Sequence, residues 1–192
     1  TAGAGNHIIT YTFGSGTCLT TDTIQIFVNA LPVLITTNAG ICINESTVLN
    51  VAGANTYLWS PSSGLSATTG ASVTANPIIT TTYTITGTNT TTGCVNTATS
   101  TVTVHPLPPV SVNPNPASVC LNSTTTLTAS GAGAGGNYLW TPNQFINSTT
   151  AANVTINPPS NFSYQVVATT VFGCMDSVVV PVTVNQNIIA AA

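Results

Sequence analysis

Read by hydrophobic and polar position, the chain alternates with a period of two. In 97-TATSTVTV-104 and 80-TTTYTITGT-88, β-branched residues stand between small or polar ones. That is the pattern of a strand with one face turned to a core, and no 3.6-residue helical period of any length occurs. Between residues 32 and 108 such runs predict seven short strands, at 33–37, 47–51, 56–60, 65–67, 71–75, 80–88 and 95–104. Trp59 sits on the third of these, with Tyr57 two residues earlier on the same face.

The pattern repeats. The stretch 41-ICINESTVLNV-51 recurs as 119-VCLNSTTTLTA-129, and 57-YLWSP-61 recurs as 138-YLWTP-142. Further on, 83-YTITGTNTTTGCVNTATSTVTV-104 corresponds to 164-YQVVATTVFGCMDSVVVPVTV-184, and the same ending stands near the N-terminus as 11-YTFGSGTCLTTDTIQIFV-28. Cysteine spacing sets the period: 76 residues from Cys18 to Cys94, 78 from Cys42 to Cys120 and 80 from Cys94 to Cys174. The drift fits the Gly/Ala insertion 131-GAGAGG-136. Proline follows strand-like runs at 31-LPV-33 and 107-LPPV-110, where it blocks continuation of a ladder.

Residues 1–31 are therefore expected to be the C-terminal part of one module. Two whole modules follow at 32–108 and 109–186, and 187–192 opens a further one. Seven short strands per module, with a Trp mid-module, predict an all-β fold of tandem immunoglobulin-like antiparallel β-sandwiches. Tyr57, Trp59, Tyr138 and Trp140 are the expected core aromatics.

Composition narrows the function. The chain has no Lys or Arg, two Asp and one Glu, so only 2% of its 192 residues are charged, against roughly a quarter in an average domain. Thr, Ser and Asn number 38, 16 and 20, so hydroxyls and amides carry the solubility. Nucleic-acid binding needs phosphate-neutralising Lys and Arg and is excluded. Polybasic membrane attachment fails for the same reason, and no apolar run approaches the roughly 20 residues of a membrane span. No signal peptide is present, so a mature or excised segment is expected.

Catalysis and metal binding lack their groups. Asp22, Glu45 and Asp176 fall in three different modules, so no module can pair an acid with a base or assemble the carboxylates of a calcium site. His7 and His105 stand without a nucleophile-and-acid context and read as surface or capping residues. No enzyme activity and no cofactor are expected.

The order Cys-x-x-x-Ser/Thr-x-x-Leu, Tyr-x-Trp-Ser/Thr-Pro, Thr-Tyr-x-Val/Ile, Gly-Cys and a Thr/Val strand ending near Leu-Pro spans nearly the whole chain. It resembles the Ig-like and PKD-like repeats of large Bacteroidetes cell-surface proteins, including gliding-motility adhesins and other substrates of type IX secretion. The segment 5-GNHIITYTF-13 resembles the Gly-Thr-His-x-Ile-x-Tyr segment of such adhesins. The Trp-Asp-Phe-Gly-Asp-Gly motif of PKD repeats is absent, and with it any activity tied to that loop. The resemblance implies a secreted, extracellular stalk or filament.

Five cysteines without a CxxC pair point to disulfides in an oxidising compartment. Within-module pairs Cys42–Cys94 and Cys120–Cys174 are the simplest arrangement, with Cys18 bonded outside the chain. In an immunoglobulin sandwich, however, those positions lie at opposite poles. About six strand residues span roughly 20 Å, whereas a disulfide needs Cα atoms within about 7 Å. Tandem stacking instead favours an inter-module bond Cys42–Cys174, leaving Cys18, Cys94 and Cys120 to modules outside the chain.

Two modification signals differ in weight. Six Asn-x-Ser/Thr triplets are what the composition produces by chance. The O-glycosylation signal of Bacteroidetes, Asp-Ser/Thr-aliphatic, fits Asp22-Thr23-Ile24 and Asp176-Ser177-Val178, which makes Thr23 and Ser177 candidate sites. The expected function is a rigid spacer in a surface adhesin, whose partners are further modules of the same polypeptide and identical chains in a filament. A carbohydrate-binding module using exposed Tyr or Trp is the rival. Ice binding by Thr-x-Thr arrays such as 82-TYTIT-86 is disfavoured by sheet twist.

Overall fold

The computed structural model describes residues 2–186. The chain divides into two compact units, Thr1–Val104 and His105–Ala192. Every regular element among the described residues is a strand. The module start expected at 187–192 lies outside the described residues.

The first unit opens with a hairpin of β1 (Gly5–Ser15) and β2 (Cys18–Val28). The two-residue loop Gly16-Thr17 closes it, and Gly16 has a φ of 61°, the left-handed first position of a type II′ turn. There follow β3 (Ile35–Thr36), β4 (Ala39–Cys42), β5 (Thr47–Ala52), β6 (Thr56–Ser60), β7 (Ser72–Ala75), β8 (Thr81–Thr88) and β9 (Val95–His105). They form a three-stranded sheet β3-β5-β7 and a four-stranded sheet β4-β9-β8-β6.

The second unit repeats the scheme with β10 (Ser111–Asn113), β11 (Ala117–Cys120), β12 (Thr125–Ser130), β13 (Asn137–Thr141), β14 (Asn153–Ile156), β15 (Phe162–Thr169) and β16 (Met175–Asn185). Its sheets are β10-β12-β14 and β11-β16-β15-β13, with β11 parallel to β16. Each unit thus carries an immunoglobulin-like β-sandwich whose consecutive strands cross repeatedly between sheets.

The period of two predicted in the sequence is what the burial follows. Along β8, Tyr83, Ile85 and Gly87 are buried while Thr82 and Thr84 face outward. Along β15, Tyr164, Val166 and Ala168 take the same places. The first core gathers Leu49, Val51, Trp59, Val73, Tyr83, Ile85 and Val102, and the second Leu127, Trp140, Val154, Ile156, Tyr164, Val166 and Val180. Each indole also satisfies its N–H: Trp59 Nε1 donates to the Gly70 carbonyl and Trp140 Nε1 to that of Ala151, both at 2.9 Å. Tyr57 is buried and Tyr138 half-buried against the core.

Three sequence expectations change. The strand expected at 33–37 shrinks to β3, and the chain then crosses to the other sheet as β4, a four-residue strand that its Ala-Gly-Ile-Cys composition did not advertise. Trp59 consequently lies on the fourth strand of its sandwich and not the third. Residues 65–67 form no strand; only Leu65 bridges Ala75, because the segment is enclosed by Gly64 and Gly70 at φ of 73° and 108°.

The hairpin differs from both sandwiches in burying almost nothing. By its register Ile9 pairs with Ile24, His7 with Ile26 and Tyr11 with Asp22, so Ile9, Tyr11, Phe13, Ile24 and Ile26 share one exposed face.

Candidate functional site

The five cysteines divide into two chemical states. Cys42, at the end of β4, and Cys174, just before β16, are disulfide-bonded. Cys18, Cys94 and Cys120 are free thiols, Cys18 and Cys120 exposed and Cys94 half-buried. Neither Cys42–Cys94 nor Cys120–Cys174 is therefore formed.

The carboxylates and histidines stay scattered. Asp22 Oδ1 accepts from the Thr23 amide and Asp176 Oδ1 from the Ser177 amide, each at 2.8 Å, so both candidate modification sites share one exposed local geometry. Ser177 Oγ also accepts from Gln165 Nε2 at 3.0 Å. Glu45 Oε2 accepts from the Cys42 amide at 3.3 Å. His7 bonds the Gly3 carbonyl, and His105 stacks on Phe172 with ring centroids 3.8 Å apart. No cluster of three metal-ligating side chains occurs among the described residues, and no described helix is long and apolar enough to cross a membrane.

Of the residues proposed as sugar platforms, Trp59 and Trp140 are each 1% exposed and present no stacking face. The outer face of the four-stranded sheet carries three cross-strand Thr pairs, Thr82–Thr101, Thr84–Thr99 and Thr86–Thr97. The hydroxyls of the first pair hydrogen-bond each other at 2.9 Å. Two buried phenols are perturbed. Loss of water around Tyr83 raises its pKa, and the same cause pushes Tyr164 up to about 12.

A feature the sequence reading missed recurs in both sandwiches. A groove of about 440 Å³ in the second unit is lined by Thr124, Phe145, Ile146, Asn147, Thr155, Ile156 and Asn157. A groove of about 310 Å³ in the first is lined by Ser46, Gly64, Leu65, Ser66, Thr74 and Asn76. These occupy matching repeat positions and are built by matching bonds. Ser66 Oγ accepts from the Thr74 amide at 3.0 Å, and Asn147 Oδ1 from the Thr155 amide at 2.8 Å. Asn76 and Asn157 amides donate to the carbonyls of Gly64 and Phe145 at 2.7 and 2.9 Å.

The grooves share Thr74/Thr155 and Asn76/Asn157 and differ most at Gly64, which Phe145 replaces. Gly64 has a φ of 73°, which glycine adopts freely, and its counterpart Phe145 holds a φ of 58°. A left-handed backbone costs a residue with a Cβ about 1–2 kcal/mol. The surroundings enforce it: the Phe145 carbonyl accepts from the Asn157 amide and from Tyr164 Oη at 3.3 Å, and its ring meets Phe162 edge-on, 5.5 Å between centroids. The signal was present in the repeat itself, where 61-PSSGLS-66 stands opposite 142-PNQFIN-147.

No protein-family model matches the chain, and no curated protein matches it. Similar solved structures include DIP-gamma IG1+IG2, at 10% identity and a TM-score of 0.43 over 81% of this chain and 98% of that one. The I-band fragment I67–I69 from titin is 14% identical with a TM-score of 0.47, over 83% and 67%. The Ig1-2 module of Drosophila receptor protein tyrosine phosphatase DLAR is 14% identical with a TM-score of 0.32, over 81% and 100%. The fold class itself rests on the strand order and the two repeated cores.

Proposed function

We propose that the chain is a segment of a tandem-repeat stalk in a secreted bacterial surface adhesin. In this reading 1–31, 32–108 and 109–186 are successive modules, with 1–31 the last two strands of a sandwich. The carrying observation is that two consecutive sandwiches repeat strand order, core and cysteine positions. Extracellular placement on a Bacteroidetes-type cell surface, export by type IX secretion and a part in gliding motility rest on the sequence resemblance.

Rigidity in a stalk without calcium needs another cross-link. The reading assigns it to a disulfide Cys42–Cys174 joining two modules. It is supported by the bonded state of those two cysteines and the free thiols of the other three. Cys18, Cys94 and Cys120 would each take the equivalent bond to a flanking module. Thr23 and Ser177 would carry glycans that hydrate a surface poor in charge. Further copies of the module, in the same polypeptide or in neighbouring chains of a filament, are the partners.

Force spectroscopy on the oxidised chain tests the stalk. A Cys42–Cys174 bond keeps residues 43–173 from extending, which withholds roughly 450 Å of contour length at about 3.5 Å per residue. Reductant should release that length. Equal contour lengths with and without reductant would refute the cross-link, and unfolding at forces no higher than those of a non-mechanical β-sandwich would refute the stalk.

A further inference from the structure

We propose that the groove over Phe145 binds a sugar residue of an uncharged polysaccharide. This goes beyond the spacer reading and does not depend on it. Phe145 lies 47% exposed, braced edge-to-face by Phe162, in a backbone conformation that the first sandwich reserves for Gly64. A phenyl kept in a strained, half-exposed position next to the larger of two matching grooves marks a functional site more readily than a packing one.

The rim supplies the complementary chemistry. Thr124, Asn147 and Asn157 are exposed, and Thr155 is half-buried. Asn147 spends its carbonyl oxygen on the Thr155 amide, which leaves its NH₂ group for a ligand. The side chains of Thr124, Thr155 and Asn157 make no hydrogen bond within the described residues, so hydroxyl and amide donors and acceptors line the same groove as Phe145. No carboxylate, Lys, Arg or His lines the groove, so an anionic or cationic ligand finds no counter-charge.

A pyranose ring matches this arrangement: an apolar C–H face for the phenyl and a belt of hydroxyls for the amides. The volume of about 440 Å³ falls in the range of small-molecule clefts. The first sandwich, with glycine in place of the platform, serves as an internal negative.

The test is titration of the whole oxidised chain with cellohexaose, chitohexaose and mannohexaose, read by amide chemical shifts and calorimetry. At least one hexasaccharide should bind with a Kd between about 0.1 and 5 mM, shifting the amides of Phe145, Asn147 and Asn157 and leaving those of Gly64 and Ser66 in place. Phe145→Gly, which copies the first sandwich and relieves the backbone, should weaken binding at least about tenfold without lowering the melting temperature by more than a few degrees. Asn157→Leu should weaken it about fivefold or more, since it keeps the backbone bond to residue 145. Phe13→Ala, an exposed ring elsewhere, should leave binding unchanged. Absence of binding by all three sugars up to about 10 mM, or equal binding by Phe145→Gly, overturns the proposal. So does an equal loss in Phe13→Ala.

Discussion

The hydroxyl of Tyr164 donates to the main-chain carbonyl of Gln144 at 2.9 Å, and in the other sandwich Tyr83 donates to that of Ser63 at the same distance. Each bond ties the centre of a four-stranded sheet to the loop twenty residues upstream, the loop that forms the wall of the groove. Both phenols are buried, so each donates a proton it cannot lose without stranding a charge in the core.

Alkaline pH should therefore unfold the protein through these tyrosines. Their folded pKa values lie above the ordinary 10, that of Tyr164 at about 12. A raised folded pKa means that the contribution is complete below about pH 10 and is lost as pH rises from 10 towards 12. Denaturant midpoints should fall across that window. Tyr164→Phe should cost about 1 kcal/mol at neutral pH and show a shallower decline above pH 10, measured by guanidinium unfolding. A decline as steep as the unsubstituted protein's would contradict this account.

Glycine is required where another chain segment passes close. A Cβ at Gly53 would stand 1.8 Å from the Val33 carbonyl oxygen, and one at the matching Gly131 would stand 2.3 Å from that of Pro109, both at left-handed φ. Gly93 also has a left-handed φ of 72°, yet nothing lies within 4 Å. Gly93→Ala should cost about 1 kcal/mol and Gly53→Ala or Gly131→Ala clearly more, about 2–4 kcal/mol. Chemical denaturation of the three variants orders them.

Thiol chemistry should count three cysteines before reduction and five after. Cys18 and Cys120 are exposed and should be alkylated first, with the half-buried Cys94 slower. Cys42 and Cys174 should react only after reduction. Mass spectrometry of the labelled chain reads both number and position, and a label on Cys42 or Cys174 in unreduced protein would contradict the assignment.

The hairpin should contribute little to the stability of the first sandwich. Two strands with no buried face are at best marginal in water. Amides of residues 5–28 should exchange far faster than those of β8 or β15. Removing residues 1–31 should change the unfolding free energy of that sandwich by no more than about 0.5 kcal/mol. Tyr11, 64% exposed, has no hydroxyl partner among the described residues, in contrast to Tyr83 and Tyr164.

Much of the site was not legible along the chain. The burial of Trp59 and Trp140, which removes them as sugar platforms, was readable from strand position. The role of Phe145 was not, although Gly64 opposite it in the repeat was visible. A residue letter carries no φ, and the bonds from Asn157 and Tyr164 together with the edge-on contact to Phe162 hold Phe145 in a conformation it would otherwise avoid.

What the sequence determined by itself is whatever depends on local period and on counting. Alternation of β-branched and polar residues put β8 and β9 where they lie, because a strand exposes and buries side chains at every second position whatever its neighbours are. Repeat spacing related the two sandwiches. What only the tertiary structure decided depends on pairing between distant segments. The crossing of the first strand into β3 and β4, the reduction of 65–67 to a single bridge and the strained backbone of Phe145 all result from which segments pair within each unit. A period of two says that a face is buried but not against what.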